Sequence, residues 1–221
     1  MTELKLLGYY ICEKVPPLRF MKNFSQEIIS VSNCIGELHP NWQNFSGAYG
    51  IRKAFRASYR NKLKLTEEEF EEFITDFGDH ISAKKLDTSG RFVFLSDARY
   101  FREKYFANID CEIVGVSTDE NSFNVLISEI EDIMGYCCLN GETDTNNSIG
   151  YDILGWDYSH FHSYLCNDLQ KEFPSLKINE IGLISNTFEE TAEFARYANE
   201  HELGEPVEWI PVSITRLTDK G

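Results

Sequence analysis

The sequence of 221 residues lacks long apolar runs, internal repeats and low-complexity tracts. Its apolar runs span only a few residues, whereas a helix needs about 20 to cross a bilayer, so we expect no membrane-spanning segment. The first residues, MTELKLL, have neither a basic flank nor a long apolar stretch, which argues against a signal peptide and predicts a cytoplasmic protein. What remains is an ordinary globular composition, 42% hydrophobic and 26% charged, which excludes a disordered or collagen-like chain.

Sequence signatures of catalysis and cofactor binding are missing as well. The chain contains no G-x-x-x-x-G-K-[ST], no G-x-G-x-x-G, no G-x-S-x-G nucleophile elbow and no H-E-x-x-H zinc motif. Catalytic triads depend on geometry rather than sequence order, so these absences lower the expectation of an enzyme without excluding one. We therefore expect a protein that is not an enzyme, with no catalytic residue and no cofactor.

Positive charge is scarce in the second half of the chain. Residues 1–109 hold 16 Lys and Arg against 14 Asp and Glu, whereas residues 110–221 hold 5 against 22. The net charge of -15 therefore comes from the C-terminal half. Such a surface repels nucleic-acid phosphates and anionic lipid headgroups, so we expect no nucleic-acid or membrane partner. Two interpretations stay open, a basic protein partner and an acidic surface that serves only solubility.

The cysteines are spaced neither for disulfide staples nor for a metal site. No Cys-x-x-Cys is present, and the chain is long enough to fold without disulfides, so we expect free thiols in a reducing compartment. His162 and Cys166, four apart, would share one face of a helix, but two ligands are too few for a structural zinc site, and we expect no metal. If the segment were a strand, His160 and His162 would point the same way and the case for a metal would be stronger. The cysteines are Cys12, Cys34, Cys111, Cys137, Cys138 and Cys166.

Hydrophobic periodicity predicts an α+β fold, with helices packed on a mixed or antiparallel sheet and a helix-rich C-terminal part. The predicted strands are 4–12, 27–35, 91–95, 111–117, 151–154 and 207–217. The predicted helices are 51–63, 66–78, 96–106, 122–134, 158–173 and 187–200. Pro211 predicts an edge position or a bulge for the last strand, because proline cannot donate a hydrogen bond to a neighbour.

The polar stretch 140–149 is the expected boundary within the chain. It separates an N-terminal α/β-like region, 1–139, from a C-terminal region, 150–221, and the two regions could still share one core.

Two of the predicted helices begin with a capping box, in which a threonine and a glutamate three residues later satisfy open backbone N–H groups. The pairs are Thr66 with Glu69 and Thr187 with Glu190. The acidic run 67–72 is explained by its place in the first turns of a helix, and it predicts no functional site.

The residues from Gly150 onwards carry a family resemblance. The segment GYDILGWD at 150–157 is followed by FHSYLCN at 161–167, by GLI at 182–184 and by EPVEWIP at 205–211. This order resembles the C-terminal part of immunity proteins from bacterial polymorphic-toxin systems, of the Rhs and contact-dependent-inhibition kind. The likeness covers residues 150–214, and residues 1–149 show none.

The resemblance implies a cytoplasmic bacterial protein that binds the C-terminal domain of a cognate toxin and neutralises it by occlusion, without chemistry of its own. Many such toxins act on nucleic acids and are basic, which suits the acidic half of the chain. The shared motif residues are expected to determine the fold, with Asp152 and Asn167 bonding backbone groups at a strand-to-helix turn.

Four residues are the expected toxin contacts: Asp144, Asp152, Trp156 and Asp157. Trp156 would serve as an interface anchor if it is exposed, whereas packing against the following helix would bury it. Two alternatives stay open. One is an enzyme, either a hydrolase or one that reverses a toxin's modification, that uses His162 and Cys166. The other is an adaptor module without a toxin.

Overall fold

A computed structural model of the chain describes residues 3–17, 26–32, 34–36, 38, 53–87, 89–134, 147–157 and 160–217. The strands are β1 Lys5–Glu13, β2 Cys111–Thr118, β3 Ser148–Asp157, β4 His160–Ser163 and β5 Trp209–Arg216. The α-helices in this part of the chain are α1 Lys53–Leu63, α2 Glu67–Ser82, α3 Leu95–Tyr105, α4 Glu120–Met134 and α5 Phe188–Glu200. The strands form one antiparallel sheet in the order β1-β2-β5-β3-β4, which confirms the predicted α+β class.

Alternating side chains send the two faces of the sheet into different hydrophobic cores. On one face, Val114 and Val116 of β2 pack in the same core as Leu126 and Ile130 of α4. On the other face, Ile113 of β2 packs with the aromatic side chains of α1, α2 and α3. The same face of β3 and β5 is covered by α5, in a core that contains Ile153, Ala195 and Trp209. Strands from both sides of the stretch 140–149 therefore lie in one sheet.

The expected edge position of the last strand is wrong, because β5 lies between β2 and β3. Pro211 is paired with Ile153 of β3, but the pairing of β5 with β2 ends at Ser213, two residues before the proline is reached. On that side the missing N–H is not needed, and the Pro211 carbonyl accepts a hydrogen bond from the Thr118 hydroxyl. Proline is tolerated inside this sheet because the neighbouring strand stops short of it.

The helix predicted over 158–173 is also wrong, and with it the expectation of a helix-rich C-terminal part. Residues 160–163 form β4, and a turn and a short 3-10 helix at Leu169–Lys171 follow. The apolar side chains spaced by four do not share one environment. Phe161 lies in the core under α4, whereas Leu165, Leu169 and Phe173 lie in the core under α5. Strand pairing with β3 outweighs the helical spacing of this segment.

Both predicted capping boxes are confirmed. The side chains of Thr66 and Thr187 accept hydrogen bonds from the backbone N–H groups of Glu69 and Glu190, respectively. In return, each glutamate side chain accepts a hydrogen bond from the backbone N–H of the threonine that caps its helix. The helix after Thr66 continues beyond Gly78 to Ser82. The strands predicted over 27–35 and 91–95 are reduced to isolated bridges, such as Val15 with Ile28 and Tyr9 with Phe92.

Candidate functional site

Cys34, His162 and Cys166 form a cluster that we call the thiol cluster. Their ligand atoms all lie within 4.8 Å of one another. The Cys34 Sγ is 3.5 Å from the His162 Nδ1. The Cys166 Sγ is 3.5 Å from the Ser32 Oγ, so one hydroxyl borders the cluster.

Local backbone structure explains how these side chains meet. His162 lies on β4, where it is paired with Gly155 of β3. The chain turns after β4, and the Cys166 N–H donates to the Ser163 carbonyl at 3.1 Å, which folds the Cys166 side chain back towards the strand. On the N-terminal side, the Cys34 N–H donates to the Ser32 Oγ at 3.2 Å.

The two thiols of the cluster differ in acidity. A hydrogen bond from Cys166 lowers the pKa of Cys34 to about 6, and Ser32 contributes in the same direction. The same contact with Cys34, together with burial, raises the pKa of Cys166 to about 12. Hydrogen bonding to Cys166 raises the pKa of His162 as well. These shifts make Cys34, the exposed thiol, the more readily deprotonated of the two.

A thiolate beside an imidazole is suited to nucleophilic chemistry or to binding a soft metal. The sequence-based argument found His162 and Cys166 but missed Cys34, which lies 128 residues from His162 in the sequence. No local spacing could have indicated it, because the contact exists only in the folded chain. His162 lies on a strand, which is the condition under which the sequence made a metal site more plausible. The side chain of His160 is outside the described residues.

Asp152 is buried, with 1% of its surface exposed, so no partner can reach it in this structure. Its Oδ1 accepts hydrogen bonds from the Ser163 hydroxyl and the Ile153 N–H, both at 2.7 Å. Burial raises the pKa of this carboxyl well above its usual value. Because its carboxylate on β3 binds the Ser163 hydroxyl on β4, Asp152 links the two strands and supports the fold.

The other expected toxin contacts have different surroundings. Trp156 is 4% exposed and packs against Phe161 of β4, in the core under α4, and the helix expected to follow it is replaced by β4. The Asp157 side chain is 42% exposed, and its Oδ2 lies 3.7 Å from the His162 Nε2. Asp144 lies outside the described residues, as do Cys137 and Cys138. Of the four, Asp157 alone is described and exposed, and it borders the thiol cluster.

A groove lies at the C-terminal end of α5, and we call it the acidic groove. Its carboxylates come from Glu129 of α4 and from Glu202, Glu205 and Glu208 in the connection between α5 and β5. The cavity has a volume of about 630 Å³, and Trp209 contributes to its lining.

Two carboxylates of the acidic groove, those of Glu129 and Glu208, repel each other. Burial and the charge of Glu208 raise the pKa of Glu129. Among the described residues, none of the four glutamates forms a salt bridge, and Glu208 accepts a neutral hydrogen bond from the Asn199 amide at 3.0 Å. A cation bound from outside would relieve this repulsion.

One residue links the groove to the thiol cluster. The Asn167 Oδ1 accepts from the Glu205 N–H at 3.1 Å, and its Nδ2 lies 3.7 Å from the Cys166 Sγ. Asn167 thus bonds a backbone group, as expected, although at a turn and not at the start of a helix. The two features are neighbours on one surface.

Comparison of the chain with protein-family models, with curated proteins and with solved structures finds no match. In the part of the chain that the structure covers, no helix has the length and apolar character needed to cross a membrane.

Proposed function

We propose that this protein is an immunity protein that binds a cognate bacterial toxin domain and neutralises it by occlusion. The observation that carries the proposal is the acidic groove, whose four carboxylates lack a cationic partner among the described residues. The resemblance of residues 150–214 to immunity proteins of polymorphic-toxin systems supports the same function.

The partner would present Lys or Arg side chains to the groove. Unmatched carboxylates attract a basic protein at long range and so raise the association rate. Inside the complex, the incoming cations would offset the repulsion between Glu129 and Glu208. A toxin surface that binds nucleic-acid phosphates has the required charge, and covering it would block the toxin.

The partner is sought in the product of the open reading frame immediately upstream. Its last ~150 residues, a typical domain length, are expressed with and without this protein, and cell survival and co-purification are scored. We expect toxicity, rescue and a one-to-one complex. Rescue without a complex would contradict occlusion and favour the enzyme alternative, and a toxin that this protein neither binds nor silences would contradict the proposal.

Charge reversal tests the role of the groove. The triple variant Glu202→Lys, Glu205→Lys and Glu208→Lys is compared with a control that carries Glu103→Lys, Glu172→Lys and Glu193→Lys. All six side chains are exposed, and both variants change the net charge equally. We expect the groove variant to associate at least about tenfold more slowly, and the control to change the rate much less. Equal effects would assign the attraction to overall charge and not to the groove.

The enzyme alternative rests on the acidic thiol of Cys34 beside His162. It predicts that Cys34→Ala or Cys166→Ala abolishes rescue while the complex still forms. Occlusion predicts that both variants still rescue.

A further inference from the structure

The thiol cluster has the composition and spacing of a metal site. In a tetrahedral zinc site the Zn–S bond is about 2.3 Å and the Zn–N bond about 2.0–2.1 Å, which places a sulfur and a nitrogen ligand about 3.5 Å apart. The Cys34 Sγ and the His162 Nδ1 are separated by 3.5 Å. With the Cys166 Sγ in the same 4.8 Å group, three ligand atoms surround one point.

The surroundings of these atoms match those of metal ligands. A histidine that binds a metal through one ring nitrogen usually donates the other N–H to a carboxylate. His162 turns its Nδ1 to the Cys34 Sγ, and its Nε2 lies 3.7 Å from the Asp157 Oδ2, so the carboxylate is beside the ring N–H but slightly beyond hydrogen-bond distance. The Cys166 Sγ accepts from the Ser163 N–H at 3.2 Å, a donor that would also serve a metal-bound thiolate, and the free thiol donates to the Ser163 carbonyl at 3.0 Å.

We propose that Cys34, His162 and Cys166 bind one zinc ion, with the fourth coordination position open to solvent. Three protein ligands and one open position are a known arrangement for zinc, and the exposure of Cys34 leaves room for a water. Both cysteines bind as thiolates, so any proton that either sulfur still holds passes to the solvent, while His162 binds as the neutral imidazole with its proton on Nε2.

The ion would connect distant parts of the chain. Cys34 precedes α1, whereas His162 and Cys166 belong to β4 and the turn after it. A metal held by all three ligands binds the folded chain more tightly than the unfolded chain, so it stabilises the fold.

The first test titrates the full chain, reduced and stripped of metal by a chelator, with Co²⁺ as a spectroscopic substitute for Zn²⁺. We expect one equivalent of Co²⁺ to produce a thiolate-to-cobalt charge-transfer band and the d–d bands of a four-coordinate site. One equivalent of Zn²⁺ should displace the Co²⁺ and so remove both the charge-transfer band and the d–d bands. A reduced protein that gives no stoichiometric thiolate–cobalt band would overturn the proposal.

Variants test the ligand set. Cys34→Ser and His162→Gln should each weaken zinc binding by at least about 100-fold, and Asp157→Asn by about 10–100-fold as an outer partner of the histidine. His201→Gln, at an exposed histidine, is the control and should bind zinc as the unchanged protein does. Cobalt bands that persist in Cys34→Ser would overturn the assignment.

A final measurement separates a metal site from a disulfide pair. Zn²⁺ should protect two thiols of the unchanged protein from alkylation and raise its unfolding temperature, and it should do neither in Cys34→Ser. A Cys34–Cys166 disulfide that forms at the same rate with and without Zn²⁺ would overturn the proposal. These measurements use the protein alone, so their outcome is independent of whether a toxin partner exists.

Discussion

In the layer formed by α1, α2 and α3, the Lys104 Nζ lies 2.8 Å from the Glu72 Oε1 and 3.0 Å from the Asp76 Oδ2. Asp76 also accepts hydrogen bonds from the Tyr100 and Tyr105 hydroxyls. Around the acidic groove, by contrast, four carboxylates lie close together and lack a cationic partner among the described residues. The first region matches its charges within the chain, whereas the second leaves them available to a partner.

If the proposed function is right, the difference separates residues that stabilise the fold from residues that serve binding. Exposed ion pairs contribute little to stability, so the helical layer depends mainly on its aromatic core. Repulsion between carboxylates does not stabilise the fold, and the pKa of Glu129 is raised by burial first and by the charge of Glu208 second. Substitutions in the two regions should therefore differ in the property they change.

The largest expected effect is on the aromatic core. Phe73 is fully buried, and the rings of at least six aromatic residues lie within 6.3 Å of its own. Phe73→Ala should lower the free energy of unfolding by about 3–5 kcal/mol, measured by urea denaturation. Phe94→Ala, at a side chain that is 40% exposed, is the control and should change it by about 0.5 kcal/mol or less. Similar losses in the two variants would contradict a stabilising role of the core.

A second prediction compares two buried or partly buried carboxyls whose pKa values are shifted in opposite directions. Burial raises the pKa of Asp152, so the folded chain holds a proton that the unfolded chain releases. This stabilisation is complete below the ordinary pKa of about 3.9 and is lost as the pH rises through the raised value, at up to about 1.4 kcal/mol per pH unit. Asp152→Asn should remove this slope, because the amide oxygen can still accept from Ser163.

Asp76 should behave in the opposite way. Burial alone would raise its pKa, but hydrogen bonds from Tyr100, Tyr105 and Lys104 lower it. Its stabilisation is present at neutral pH and is lost as the pH falls through the lowered value. Asp76→Asn should therefore destabilise the protein at neutral pH, with a difference that shrinks in acid. Urea denaturation at a series of pH values measures both variants, and slopes of the same sign would contradict the assignment.

The smallest expected effect concerns the helix N-caps, of which one begins α2 in the helical layer and one begins α5 beside the acidic groove. Thr66→Ala and Thr187→Ala each remove a helix N-cap with the same capping-box geometry. Each should lower the free energy of unfolding by about 1 kcal/mol. Thermal or urea unfolding measures both, and Ser82→Ala, at an exposed helix end without an N-cap role, is the control. A much larger loss at either threonine would indicate a role beyond capping.

Local features of the fold could be predicted from the sequence alone. Strands β1 and β2, the five helices and both capping boxes follow from side-chain spacing and from bonds that span three residues. The acidic character of the C-terminal half is likewise fixed by composition. These features depend on neighbours within a turn or two of helix, so distant residues change them little.

Only the tertiary structure decided the rest. β5 lies inside the sheet despite Pro211 because β2 ends before it, and residues 160–163 form a strand because β3 pairs with them. Cys34 joins His162 and Cys166, and Glu129 joins the glutamates at 202–208, across more than 70 residues of sequence in each case. Such contacts depend on which surfaces the chain buries together, and no spacing within one segment encodes that choice.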